Sequence, residues 1–323
     1  MFAVYAIGGN FEKPLTQLRT GSMPEPTVKE GWQKVKVTHA SLNRHDIFTL
    51  QGLSGQEEPI PYPMIMGNDG AGTLPDGTPV AIYPVMNAAG WMGDEMLDPK
   101  WHVFSELVPG TFADYVAVPN RNAVPLPKGM APEKAAVLGT AWLLAYRGLF
   151  RKSGLLSGQR MLIQGAAGGV ATALIQLGKA AGFEIWTTVR DDKGAKTAER
   201  LGAHRIFKAG EKLPVKADAV FDSVGTKTIP HSLESVKRGG TVVTMGMTTG
   251  SEVSIQLLPI FVQEITLAGA VMGTREEFIQ LLNFVHNSGI KPETGKIVPL
   301  EEAEAAFAEM WEGKNLGKTL FTP

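Results

Sequence analysis

The chain has no cysteine. That excludes disulfide staples, thiolate nucleophiles and cysteine-ligated zinc together. An excess of either charge is also missing, with 31 Lys and Arg against 32 Asp and Glu and a formal net charge of −1. So even a balance gives no electrostatic footprint for nucleic acid or an anionic membrane as main partner. No apolar run approaches the roughly 20 residues that a membrane helix needs. The opening MFAVYAIGGN has a short apolar run but no basic lead, so it does not read as a secretory leader. The expectation is a soluble, cytoplasmic protein acting on small molecules.

What is present is enough apolar material for a large core: 44% of 323 residues are hydrophobic. At roughly 150 residues per domain, about two domains are expected. Residues 1 to about 125 read as short strands separated by proline and glycine, among them Phe2–Ile7, Gln33–Ser41, Gly70–Leu74, Pro79–Tyr83 and Phe112–Val118. After Val124–Pro125–Leu126–Pro127 the pattern changes. Strand-like runs (Met161–Gln164, Glu184–Val189, Arg205–Phe207, Ala219–Asp222, Thr241–Gly246, Ile265–Ala270) alternate with helix patterns at Gly169–Ala181, Lys193–Leu201, Ile229–Lys237 and Gln256–Val262. That alternation predicts a doubly wound parallel sheet. Thr274 and Glu277 have capping-box spacing ahead of a helix with Phe278, Leu281, Leu282 and Val285 on one face and a stop at Gly289. A second helix is expected over Glu301–Trp311. The tail Lys318–Phe321 has no helix to pair it into that sheet and is expected to return to the first domain. The fold class is therefore α/β: a β-rich domain, residues 1–125 and 271–323, split around a doubly wound domain, residues 126–270.

The stretch LIQGAAGGVA follows a strand pattern and opens a helix pattern. Gly168 and Gly169, flanked by Ala167 and Val170, let backbone approach a diphosphate, and the helix N-terminus then faces the anion. Ala166 stands at the first position of the fingerprint and Ala171 at the third. Dinucleotide binding is the expectation. For the 2′ position two readings stand. Arg190 at the end of the next strand, with Lys193 and Lys179, suits the 2′-phosphate of NADP; alternatively Asp191 or Asp192 accepts from ribose hydroxyls and the cofactor is NAD. The cations favour NADP.

GAAGGVATALIQLGKAAG, GNDGAG, SLNRHD and SVGTKTIPHSLESVKRGGTVVTMG occur in the order seen in medium-chain dehydrogenase/reductases, and the resemblance spans nearly the whole chain. It implies a GroES-like catalytic domain split around a Rossmann domain, often with dimers built through the nucleotide-binding sheet. Zinc-dependent relatives place metal ligands at three motif positions occupied here by Asn43, Asn68 and Thr140, none a good zinc ligand. The segment that carries structural zinc in such relatives corresponds to Met86–Leu107, which offers Met and Trp instead. A metal assembled from His39, His45 or His102 is the alternative. The chain thus resembles the zinc-independent quinone oxidoreductase branch. That resemblance implies hydride transfer from NADPH to a quinone or α,β-unsaturated carbonyl, with oriented donors steadying the enolate. Asn43 is expected to donate to the substrate oxygen or a ribose hydroxyl and Asp46 to orient that network; in the other reading Asn43 finishes a turn and Asp46 caps the helix that follows. His45 with Arg44 offers a proton relay or a solvated surface pair. The resemblance further places Thr140, Gly225, Gly246, Met247, Thr248, Met272 and Lys318 at the cofactor. Runner-up functions are a carbonyl, alcohol or enoyl-thioester oxidoreductase of the same fold, and a non-catalytic NADP-binding protein.

Overall fold

The strand Trp32–Ser41 organises the first of two units into which the computed structural model divides, residues 1–141 with 273–323. The structure describes residues 1–315 and 317–323. This strand runs antiparallel to Asp69–Thr73, from Lys36 opposite Thr73 to Ser41 opposite Asp69. Its first half pairs with Tyr115–Pro119. Its last residues, Ala40 and Ser41, pair with Phe321 and Leu320 of the C-terminal strand Lys318–Thr322. The tail therefore returns to this unit, as its lack of a partnering helix predicts. Alternation sends Val35 and Val37, and a register shift between Val37 and His39 sends Ala40, into a core shared with Ile47, Leu50, Phe112, Phe307 and Phe321. The Phe112 ring meets Phe321 edge-on at 4.9 Å and Phe307 at 6.2 Å, a geometry that aligns ring edge with ring face.

The two terminal helices belong here. At Arg275–Asn287, Thr274 Oγ1 accepts the Glu277 N–H at 3.1 Å while the Glu277 carboxylate accepts the Thr274 N–H at 2.8 Å. Phe278, Leu281, Leu282 and Val285 are buried. The second helix is Ala303–Trp311, preceded by a 3-10 turn at Leu300–Glu302.

The second unit, residues 142–272, is a six-stranded parallel sheet. In space its strands run Arg205–Lys208, Glu184–Val189, Arg160–Gln164, Ala217–Asp222, Val236–Thr244 and Thr266–Gly269. Numbered along the chain this is 3-2-1-4-5-6, the doubly wound order whose switch point lies between Arg160–Gln164 and Ala217–Asp222. Leu162, Trp186, Val220 and Val242 pack its core.

Two boundaries differ from expectation. The helix expected over 229–237 stops at Ser235 because Val236 pairs with Ala217, ahead of a register shift, and so begins the next strand early. The change of texture near residue 125 marks no packing boundary: the helix Pro132–Ala135 packs on Trp32–Ser41, Asp69–Thr73 and Pro79–Ile82, so residues 126–141 belong to the first unit and residues 271–272 to the second. No helix among the described residues is long and apolar enough to cross a membrane.

Candidate active site

Strand pairing in the first unit brings three distant positions together. Asn43 follows the Trp32–Ser41 strand, Asp69 opens its neighbour and Lys318 opens the C-terminal strand. All three are buried, with Lys318 only 3% exposed. Asp69 is the hub. Its Oδ1 accepts the Thr140 hydroxyl at 2.5 Å. Its Oδ2 accepts Asn43 Nδ2 at 2.9 Å, the Ser41 hydroxyl at 3.1 Å and the Lys318 ammonium at 3.5 Å. Lys318 also donates to Asn43 Oδ1 at 2.5 Å and to the Leu42 carbonyl at 2.8 Å. The turn that carries Thr140 comes this close because residue 139 is glycine; a Cβ there would stand 2.5 Å from Asp69 Oδ1.

This geometry revises the roles expected for Asn43 and Asp46. Asn43 Nδ2 donates to Asp69 and to the Ser41 carbonyl at 3.2 Å while Oδ1 is taken by Lys318, so the carboxamide is fully committed inside the protein. Asp46 accepts the Asn43 N–H at 2.8 Å and the Gly67 N–H at 3.1 Å, which is the helix-capping reading. Burial pushes its carboxyl up to about 7, against the pull of the Asn43 amide and of His45 and Lys318. Lys318 is corrected too. Its three donors go to Leu42, Asn43 and Asp69, leaving none for a phosphate. Burial lowers its pKa, opposed by Asp69 and Asp46. Thr140, half-buried, is the end of the network open toward solvent.

Of the three motif positions that hold zinc in relatives, the structure joins Asn43 and Thr140 through Asp69. Asn68 turns away, donating to the Phe104 carbonyl at 2.5 Å and to the Ser105 hydroxyl at 3.0 Å. Two carboxamides and a hydroxyl are poor zinc donors. His39 sits beside Thr38, His45 on Glu106 and His102 beside the Lys100 carbonyl. No group of three or more His, Asp or Glu among the described residues is placed to hold a metal. In the Met86–Leu107 segment, buried Asp98 ties the loop by accepting the Ala88 and Lys100 N–H groups at 2.7 and 2.9 Å. These residues do not fit zinc.

In the second unit the glycine turn sits at the carboxyl edge of the sheet, beside the switch point. The tight bend falls on Gly165, at φ 89°, one residue before Ala166, the first position of the fingerprint. The Thr188 hydroxyl accepts the Gly165 N–H at 3.1 Å and the Thr187 hydroxyl donates to its carbonyl at 2.7 Å. Gly168 caps the helix Gly169–Ala180 in extended conformation, and a Cβ on it would meet nothing within 4 Å. The first-turn N–H groups of an α-helix have no partner within it, so the start of this helix, beside Ala167 and Gly168, is the end at which an anion would be held. Gly225, at φ 96°, and Gly246 have no room for a Cβ, which would lie 2.6 Å from the Gly250 and Ser223 carbonyls respectively. Met247 and Thr248 follow, exposed, at the same edge, and Met272 is buried at φ 42°.

The cations separate. Arg190 and Lys193 are exposed just beyond the Glu184–Val189 strand, at the carboxyl edge. Asp191 is used locally, accepting the Gly194 N–H at 2.8 Å as helix cap. Lys179 lies in the last turn of the Gly169–Ala180 helix, about 15 Å from its start at about 1.5 Å per residue, and packs against Gly202. Helix length removes it from any nucleotide held at the turn.

The chain thus combines a doubly wound sheet, with a glycine turn at its switch point, and a β unit that holds a buried polar network. The alcohol dehydrogenase GroES-like domain family matches residues 29–128, and the zinc-binding dehydrogenase family matches residues 169–287. The chain belongs to the medium-chain dehydrogenase/reductase superfamily. It is 26% identical to acryloyl-coenzyme A reductase of Sulfurisphaera tokodaii, across 93% of this chain and 95% of that one. It is 25% identical to quinone oxidoreductase of Rattus norvegicus, across 85% and 84%. A crystal structure of an NAD-dependent alcohol dehydrogenase superposes with a TM-score of 0.91 at 25% identity, covering 100% of each chain.

Proposed function

We propose that this oxidoreductase is NADPH-dependent and zinc-independent, and that it reduces quinones or α,β-unsaturated carbonyls by hydride transfer. The observation that carries the reading is the Asn43–Asp69–Lys318–Thr140 network, which ties up in hydrogen bonds Asn43 and Thr140, two of the three motif positions where zinc-dependent relatives carry ligands. Taking hydride from an alcohol develops an alkoxide, which zinc-dependent relatives steady with a Lewis acid. Conjugate reduction needs only oriented donors for an enolate. Asn43 and Asp46 act as positioning residues, and the Thr140 hydroxyl, held by Asp69, is the donor that contacts cofactor or substrate.

NADPH would be held by the turn Ala167–Val170, with Arg190 and Lys193 on its 2′-phosphate and Gly225, Gly246, Met247, Thr248 and Met272 along the remainder. When bound it supplies the hydride. The name of the acryloyl-coenzyme A reductase supports a second reading, an enoyl-thioester substrate, reached by the same conjugate addition. A homodimer is part of the proposal. Strand Thr266–Gly269 is paired on one side only among the described residues, and beside it Leu257, Leu258 and Phe261 are 68%, 63% and 65% exposed. The cysteine-free composition suits a cytoplasmic setting. The test is NADPH and NADH oxidation against a panel of quinones, enones, enoyl thioesters, ketones and alcohols. Turnover confined to alcohols and abolished by a chelator would overturn the reading.

A further inference from the structure

Two polar residues beside the network take no part in it. His45, in the first turn of the Arg44–Gln51 helix, places Nε2 3.1 Å from Glu106 Oε1, and its side chain is 24% exposed against 3% for Glu106. Glu106 is fixed from two other directions: the Val103 N–H donates to Oε2 at 3.0 Å and the Gly55 N–H to Oε1 at 3.2 Å. The turn presenting it is strained, since Ser105, which is not glycine, holds φ 65°. The second ring nitrogen, Nδ1, is buried with no hydrogen-bond partner among the described residues. Arg44 faces elsewhere, donating to the Met310 carbonyl at 3.1 Å and lying over the Trp311 ring.

A carboxylate locked on one imidazole nitrogen while the other stays unpartnered is the arrangement of a proton-transferring histidine. The carboxylate fixes the ring and steadies the imidazolium, and the second nitrogen carries the mobile proton. The charged groups around the ring are Glu106, Asp46 and Asp69. Burial alone would lower the imidazole pKa, but the hydrogen bond and charge of Glu106, with the two aspartates beyond, hold it above the ordinary value. Glu106 stays below the usual carboxylate range despite its own burial, mainly through His45 and the two amides. Both shifts favour the imidazolium–carboxylate form of the pair.

We propose that the His45–Glu106 pair is the acid of the reaction, an inference that rests on the conjugate-reduction reading. Hydride leaving C4 of the reduced nicotinamide forms a C–H bond at the β-carbon, and the C=C electron pair shifts to give the enolate. The proton on His45 Nδ1 then forms the bond at the α-carbon or, in a quinone, at oxygen. The substrate gains two electrons, the nicotinamide is oxidised, and the imidazole takes its next proton from water.

The experiment reduces a 2-methyl-substituted cyclic enone with NADPH in D2O and reads α-carbon configuration and the pH profile of kcat for wild type, His45→Gln and Glu106→Gln. Wild type is expected to give one α-configuration, with kcat falling as pH rises past the raised imidazole pKa. His45→Gln is expected to lose roughly 10²- to 10⁴-fold in kcat, the α-stereoselectivity and the alkaline limb, while delivering hydride to the same β-face. Glu106→Gln is expected to move the alkaline limb to lower pH. If His45→Gln keeps the wild-type α-configuration and pH limb, the pair is not the acid, although the reductase reading stands. A wild type that reduces no enone, quinone or enoyl thioester overturns both. Should the variants fail to fold, NMR titration of the His45 ring in wild type decides, and a midpoint below the ordinary imidazole value overturns the proposal.

Discussion

Lys318 Nζ lies 2.5 Å from Asn43 Oδ1 across 275 residues of chain, and the same ammonium faces Asp69. One buried cation thus neutralises the hub of the network and fixes which way the Asn43 carboxamide points. Lys318→Met leaves the Asp69 charge buried and unpaired, a change that costs about 3–5 kcal/mol. Denaturant unfolding is expected to show that loss, and Lys318→Met combined with Asp69→Asn to recover a large part of it. A single variant as stable as wild type would contradict the pairing.

Asp46 makes stability depend on pH in the unusual direction for a carboxylate. Its carboxyl is raised in the folded chain from 3.8 to about 7 by burial. Between those values the unfolded chain has released a proton that the folded chain retains, so this group's contribution falls as pH rises through that window. Asp46→Asn is expected to abolish the slope. It should also cost about 1–3 kcal/mol, because one amide oxygen cannot serve both the Asn43 and Gly67 N–H groups as the two carboxylate oxygens do. Unfolding both proteins across a pH series checks the sign.

On the proposed function, cofactor choice falls to Arg190 and not to Asp191. Removing a hydrogen bond to a charged group costs about 1.5–3 kcal/mol, so Arg190→Ala is expected to lower kcat/KM for NADPH roughly 10- to 100-fold with little change for NADH. Asp191→Ala removes a helix cap and costs about 1 kcal/mol without altering the NADPH-to-NADH ratio. Steady-state kinetics with both cofactors tests the pair.

The glycine turn separates binding from folding. Gly168 has ordinary φ and open space where a Cβ would go. Gly168→Ala is expected to leave stability within about 0.5 kcal/mol, as for surface changes away from special features, yet to weaken NADPH binding at least tenfold by standing in the diphosphate space. Gly165→Ala strains a residue at φ 89° and is expected to lower stability as well. Calorimetric binding alongside thermal unfolding distinguishes the two.

Local patterns carried most of the fold. Strand and helix alternation, the Thr274–Glu277 capping box and the returning tail are all short-range signals, and the structure reproduces them. The network was less legible because its partners are far apart in the chain. Asp69 adjoins Asn68 in a motif where attention falls on residue 68, and its cation is 249 residues away. Glu106 meets His45 across 61 residues, with no periodicity to announce it. Lys179 misled for the opposite reason: it is close in sequence to the glycine turn, but a full helix carries it to the wrong end.

On the proposed function, hydride transfer proceeds without zinc, with Asn43 and Thr140 held in the Asp69 network at two positions where zinc-dependent relatives carry ligands. Metal analysis of tag-free enzyme, made on the same sample that is turning over NADPH with a quinone or an enone, tests it most directly. Full turnover is expected at negligible zinc content, with no loss of rate on prolonged chelation. Zinc at one ion per chain, with activity lost on its removal and restored on its return, would contradict it.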